Sequence, residues 1–367
     1  MKKTRLILAG GFLGAGKTTL LWEAAKRLMA EGKRVGLVTN DQAPELVDTR
    51  ILQGDGLKVR EVAGSCFCCN FNGFVDAIKN LCSDIVADVI IAEPVGSCTD
   101  LSATIVNPLK KYYGTELTIS PLTVLADPAR LCSILQNGDG GLHEDAAYIY
   151  RKQLEEADMI LITKTDTLTK EQTDKMLADT QQAFPTAKVM AISSAAGIGV
   201  DEWLQELSSR TEAGTKLLDI DYDRYAHGEA VLGWLNGTLH LTGEGICWDD
   251  VLTDIMSRLT AAITSESLRV GHVKLIMECG KDYAVSNLTG SDKLTNPITL
   301  RGKAGVADEA KLIINARVET SPEHLDQLIR NVLAASLPGN CQEEVLAWRY
   351  LQPGRPNPTH RFNETVQ

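Results

Sequence analysis

The chain has 367 residues, 44% hydrophobic and 23% charged, with a net charge of -11. That composition excludes large-scale disorder, and the length exceeds one ordinary core, so two domains are expected. The acidic balance argues against a general nucleic-acid or membrane-surface binder.

Met1-Lys2-Lys3-Thr4-Arg5 and the apolar run after it imitate an export signal. The run is short, glycine-rich and leads straight into a phosphate-loop signature, so it reads as a first strand. No stretch approaches membrane-spanning length. Residues 5–9 read as a strand and 18–31 as a helix stopped by Gly32. Further buried strands are expected at 34–39, 57–62, 88–92, 122–126, 159–163 and 188–192, with helices in most gaps. This pattern predicts an α/β fold, a doubly wound and mostly parallel sheet, over 1–210. A polar, irregular stretch at 211–229 reads as a linker. From 230 to 335 a strand, a helix, three strands and a helix predict a smaller α+β domain. Ser321-Pro322 marks the start of its last helix, as a side-chain cap followed by a residue that needs no donor. The proline-containing segment 336–367 reads as an extended tail.

Gly11-Phe12-Leu13-Gly14-Ala15-Gly16-Lys17-Thr18 has the spacing G-x-x-x-x-G-K-T between a strand and a helix. Its backbone N–H groups can curl around phosphates, Lys17 can charge-pair the β/γ oxygens, and Thr18 can ligate Mg²⁺. Gly11, Gly14, Ala15, Gly16, Lys17, Thr18 and Thr19 are therefore candidate nucleotide contacts. Asn40-Asp41-Gln42 opens a candidate switch over 40–49; a plain polar loop is the alternative. Glu93-Pro94-Val95-Gly96 closes a buried strand at the same sheet edge. Glu93 can hold Mg²⁺ through water or orient the attacking water, and Gly96 can donate its N–H to a γ-phosphate. A solvated strand-end carboxylate is the competing explanation. Thr163-Lys164-Thr165-Asp166 resembles the Asn-Lys-x-Asp guanine reader, with Thr in the Asn place. Asp166 would accept from guanine and be left unpaired against adenine. Ser193-Ser194-Ala195 offers backbone contacts to the guanine oxygen, with Ser194 and Ala195 the candidates.

Three of the nine cysteines, Cys66, Cys68 and Cys69, fall within four residues, and the other six are scattered. This is not a disulfide framework and fits a reduced, cytoplasmic protein. Thiolates at i, i+2 and i+3 in a turn can converge on Zn²⁺, Co²⁺ or Cu(I). Three thiolates leave a tetrahedral ion one ligand short, to be filled by water, a client or a moving group. A redox pair or buried small residues are the alternatives. Cys98, five residues past Glu93, is a possible extra ligand or an ordinary helix-start cysteine. His227 and His240 read as surface or sheet residues.

Taken in order, Gly11–Thr18, Cys66-Phe67-Cys68-Cys69, Glu93–Gly96 and Thr163–Asp166 resemble the CobW-type metallochaperone GTPases, relatives of UreG, HypB and MeaB. The resemblance implies GTP and Mg²⁺ binding that assembles a metal site, with hydrolysis releasing the ion. It implies phosphate and Mg²⁺ roles for Lys17, Thr18 and Glu93, with Lys17 and Glu93 catalytic, and metal binding by Cys66, Cys68 and Cys69. The expected cargo is Zn²⁺ or Co²⁺, and the expected partner a client metalloprotein or cobalamin-related enzyme. A homodimer is compatible with this reading. A GTP-dependent activator of a corrinoid or other metalloenzyme, without metal transfer, is the alternative. A P-loop small-molecule kinase is a third reading, disfavoured by Asp166, Glu93 and the cysteines. Thr163 and the absence of a histidine-rich stretch depart from the family pattern.

Overall fold

The computed structural model describes residues 3–41, 57–63, 65–290, 298 and 300–366. Of the candidate switch only Asn40 and Asp41 are among them, and Gly64 is outside. Two compact units divide the chain. One comprises Met1–Gly140, Ala147–Tyr225 and Arg355–Gln367, the other Gly141–Ala146 and Ala226–Gly354.

The first unit is built on parallel strands, the central ones with apolar runs buried on both faces as helix-covered sheets require. β1 (Thr4–Gly11) is central. β2 (Val35–Asp41), β3 (Lys58–Ala63) and β4 (Val89–Glu93) lie to one side of it, and β6 (Thr123–Ala126), β7 (Met159–Ile162) and β8 (Lys188–Ala191) to the other. The order is β3-β2-β4-β1-β6-β7-β8, with short β5 (Leu117–Ile119) pairing the start of β1. The winding direction reverses at β1, so the crevice beyond its C-terminal end is where ligands bind in such sheets. Around the sheet run α1 (Lys17–Ala30), α2 (Phe71–Ile85), α3 (Asn107–Tyr113), α4 (Pro128–Leu135), α5 (Glu144–Glu156), α6 (Lys170–Ala183) and α7 (Val200–Ser209). α1 places Leu20, Leu21, Ala24, Ala25 and Leu28 on one buried stripe. A wide helical turn, Ser102–Val106, leads into α3.

The second unit holds a six-stranded antiparallel sheet of order β12-β11-β10-β13-β9-β14. Its strands are β9 (Leu232–Cys247), β10 (Val270–Cys279), β11 (Asp282–Leu288), β12 (Leu300–Lys303), β13 (Val306–Glu319) and β14 (Gln342–Leu351). α9 (Trp248–Ser265) and α10 (Pro322–Ser336) supply Leu252, Ile255, Leu259, Leu325 and Ile329 to a core shared with alternate residues of β9, β10 and β13. The Ser321 hydroxyl accepts from His324 N at 3.2 Å, the cap expected from sequence.

Two segments differ from the sequence reading. The expected linker is in part folded: Asp158 accepts from Gly214 N (2.7 Å) and Thr215 N (3.2 Å), and α8 (Tyr222–Ala230) follows. The expected tail supplies edge strand β14, paired with β9 from Gln342↔Thr242 to Leu351↔Trp234. β14 is largely exposed, so it carries no alternating apolar signal. Among the described residues no helix is long and apolar enough to cross a membrane.

Candidate nucleotide and metal site

The phosphate loop leaves β1 through Gly11, whose φ is +130°. A Cβ there would lie 2.5 Å from Leu125 O on β6, so only glycine lets the strand end against its neighbour. Lys17 is buried and donates from Nζ to Gly11 O (2.8 Å) and Phe12 O (3.3 Å), which fixes its ammonium across the loop. Thr18 and Thr19 stand half-buried in the first turn of α1. The Thr18 hydroxyl donates to Glu93 Oε1 at 3.2 Å. That hydroxyl–carboxylate pair is an all-oxygen donor set of the kind Mg²⁺ takes.

Gly96 closes the loop after Glu93 against the lysine. A Cβ at Gly96 would sit 3.1 Å from Lys17 Nζ and 2.8 Å from Leu13 Cδ2. Gln153 Nε2 donates to Gly96 O (3.0 Å) and Cys98 O (2.8 Å), fixing the far side of this loop. Further along, Glu156 is fully buried and accepts from Thr99 Oγ1 (3.1 Å) and Ser102 N (3.0 Å). Burial pushes its carboxyl up to about 8, and the neighbouring Asp100 charge adds to the rise.

On the other flank, the Thr163 hydroxyl lies 2.9 Å from Ala15 O and 3.2 Å from Ala126 O. It ties the phosphate loop to the end of β7. Lys164 adopts a left-handed conformation (φ +54°) and donates to Asp127 Oδ2 at 2.7 Å. Asp166, in a single tight turn, accepts from Ser193 Oγ at 2.5 Å. Ser193 is buried, Ser194 half-buried and Ala195 exposed. Asp127 and Ser193 were not singled out from the sequence. Asp127-Pro128 at a strand end was the available signal for the first; nothing set Ser193 apart from Ser194.

The cysteine turn follows β3. Asn70 N and Cys69 N donate to Cys66 O (2.9 and 3.1 Å), and Asn70 caps α2 through Gly73 N. The thiols thus sit at a helix N-terminus, where the dipole favours negative charge. Cys66 Sγ and Cys68 Sγ are 3.0 Å apart, Cys68 Sγ and Cys69 Sγ 3.9 Å, and all three sulfurs lie within 4.8 Å of one another. Cys66 and Cys68 are buried and Cys69 is half-buried. Cys98 lies outside that three-sulfur group, and its thiol interacts with those of Cys66 and Cys68. Hydrogen bonds from the neighbouring thiols pull the Cys66 thiol down, while bonding to Cys66 pushes Cys69 up to about 11. The thiols thus titrate as one coupled set.

Two features brace this turn. Asn40, at the end of β2, donates to Val62 O and Ser65 O (both 2.8 Å) and accepts from Phe67 N (2.9 Å). Its neighbour Thr39 is paired in register with Glu93. The segment after residue 354 crosses the turn: Thr359 N donates to Cys68 O (2.8 Å) and Asn357 N to Cys69 Sγ (3.3 Å). The structure therefore brings Lys17, Thr18, Glu93 and Gly96 together on one side. Thr163, Lys164 and Asp166 lie on the other, and the thiols beyond the 93–98 loop.

A doubly wound sheet with this phosphate loop and a strand-end carboxylate defines a P-loop nucleotide-binding fold, here with a thiol cluster beside it. The family description "CobW/HypB/UreG, nucleotide-binding domain" matches residues 5–191, and the chain belongs to that family. It is 27% identical over 182 residues to a protein named zinc chaperone CobW from Sinorhizobium sp., covering 42% of this chain and 49% of that one. It is 26% identical over 219 residues to a zinc chaperone CobW of Pseudomonas aeruginosa, covering 51% and 56%. The chain thus spans about half the length of the curated relatives it matches. Among solved structures, HypB of Archaeoglobus fulgidus aligns at 18% identity and TM-score 0.41, over 57% of this chain and 90% of that one. Zn(II)-bound YjiA GTPase from E. coli aligns at 14% and 0.38, over 92% and 100%. Likenesses at that level carry no functional argument.

Proposed function

We propose that this protein is a GTP-hydrolysing metallochaperone. It binds a transition metal as cargo through Cys66, Cys68 and Cys69 and yields it to a client protein or cofactor pathway. Zinc is favoured over cobalt because the matched relatives bear the name zinc chaperone. The loop amides and Lys17 hold the phosphates, Lys164 lies along the base, and Asp166 accepts from guanine. Thr18 and Glu93 would hold Mg²⁺, which would supply positive charge to offset that of the phosphates. Glu93 also orients the attacking water. The oxygen of that water bonds to the γ-phosphorus, the bond to the β-bridging oxygen breaks, the water's proton passes to the departing phosphate, and phosphate and GDP leave. Nine cysteines, none in a disulfide, suit a reducing compartment, and we place the protein in the cytoplasm.

The observation that carries this reading is the 93–98 loop. At one end Gly96 abuts Lys17, and at the other the Cys98 thiol interacts with that of Cys66. A γ-phosphate drawn to Lys17 and Gly96 N–H would fix the loop and with it the thiols, and loss of phosphate would release both. Cys98 then completes or adjusts the set left one ligand short by the three-cysteine turn.

The test is hydrolysis of GTP against ATP by the wild type and by Asp166→Asn. GTP preference is expected, with Asp166→Asn losing about 1–3 kcal/mol of GTP affinity and gaining xanthine-nucleotide binding. Equal turnover of ATP and GTP by the wild type would overturn the assignment.

A further inference from the structure

His143, Asp145 and His227 each present a donor atom, and the three atoms lie within 4.8 Å of one another. All three belong to the unit with the antiparallel sheet. We propose that they form a second metal site, for an exchange-labile borderline divalent ion of the Zn²⁺, Co²⁺ or Ni²⁺ class. The proposal rests on these residues alone and stands apart from the GTPase reading.

The donor chemistry selects the ion class. Two imidazole nitrogens and one carboxylate oxygen suit zinc and its neighbours, whereas Mg²⁺ and Ca²⁺ take oxygen. Three protein donors leave at least one position for water or an incoming ligand.

The geometry is in part assembled. His227 Nδ1 lies 2.6 Å from Asp145 Oδ2, and the two imidazole rings stand edge to face with centroids 5.3 Å apart. Neighbouring donors on a tetrahedral zinc with bonds of 2.0–2.1 Å are about 3.3 Å apart. The His227–Asp145 pair is already inside that spacing, and the other donor pairs lie within 4.8 Å. Asp145 N donates to His143 Nδ1 at 3.2 Å, which sets the plane of that ring. The chain before it is anchored: Leu142 is buried and Arg269 Nη1 donates to its carbonyl at 2.7 Å. His227 occupies the last turn of α8, where the helix dipole favours a cation.

Access explains the lability. The His227 side chain is 59% exposed and the Asp145 carboxylate 13%, so an ion meets the site from water with one face open. The cysteine turn, by contrast, has two buried thiols under a crossing segment. The donors sit two residues apart and then 82 further on, so no metal-ligand spacing marks them in the sequence.

The experiment uses the full chain with C66S/C68S/C69S, titrated with Co²⁺ alone and followed by absorption. The expected result is one equivalent with visible d–d bands and no near-ultraviolet sulfur-to-cobalt band. His143→Ala and His227→Ala should each weaken it at least about tenfold. No binding by the triple variant, or binding unaffected by both histidine substitutions, overturns the site. If the triple variant fails to fold, the wild-type chain is titrated past saturation of the sulfur band. His227→Ala must then delete only the later equivalent, and its persistence is equally fatal.

Discussion

The two units bury different things. In the antiparallel one the described buried polar side chains are few: Glu229, Thr238, Thr260, Ser286 and Arg317. Its interior is a continuous apolar core between sheet and helices. The parallel unit buries Lys17, Asn40, Asp100, Asn107, Gln153, Glu156, Asp158, Thr163 and Ser193, most of them hydrogen-bonded at or near the ends of strands. Burying such groups is costly unless each is paired. A stretch of chain that accepts this cost in several places is holding a geometry in addition to a fold. The lesson is a division: packing dominates the stability of one unit, and polar positioning dominates the site of the other.

The largest contrast should come from pairing Leu252→Ala with Lys17→Ala. Leu252 is fully buried in the apolar core, so its truncation should cost about 2–5 kcal/mol in denaturant unfolding of that unit. Nucleotide affinity should stay unchanged. Lys17→Ala should cut turnover by about a hundredfold or more, as loss of one preorganised charge does, with a smaller change in unfolding than Leu252→Ala. The reverse pattern would break the comparison.

Asn40→Ala comes next. It removes three hydrogen bonds, one that joins β2 to β3 and two that join β2 to the cysteine turn. A stability loss of about 1–3 kcal/mol is expected. More tellingly, metal affinity should lose its dependence on nucleotide, as read by chelator competition. Preserved dependence would remove Asn40 from the coupling.

The smallest effect concerns pH. Glu156 titrates near 8 when folded, because it is desolvated with Asp100 nearby, and would ionise at an ordinary carboxylate pKa when unfolded. Between those values the folded state holds the extra proton, so stability is full below the unfolded pKa and falls as pH rises through 8. Lys216 also faces Glu156 and moderates the fall. Glu156→Gln should flatten this slope in unfolding series from about pH 5 to about pH 9. An unchanged slope would assign the pH dependence to other groups.

Much of the parallel unit was legible because each strand is a short apolar run ending in a polar motif. β1 into Gly11–Lys17, β4 into Glu93 and β7 into Thr163 are examples. What escaped was long-range or edge structure. β5, β12 and β14 are short or exposed and carry little periodicity. Asn40 read as a switch residue, yet its amide braces the thiol turn by contacts up to 27 residues away. Cys98 read as either an extra ligand or a helix-start cysteine, and its interaction with the Cys66 thiol arises only from the fold. His227 read as a surface residue; it is exposed, and its neighbours His143 and Asp145 were visible only in three dimensions.

The central claim is that the nucleotide and thiol sites are one coupled device. It is tested by titrating Zn²⁺ against a chromophoric chelator in the apo, GDP and non-hydrolysable GTP states. The triple variant C66S/C68S/C69S serves as control. Metal affinity in the GTP-like state should exceed the apo and GDP values by a coupling of about 1–3 kcal/mol, roughly 5- to 150-fold. By linkage, metal should tighten the GTP analogue by the same factor. Identical metal affinity in all three states would contradict the account and leave the cysteines as a static site.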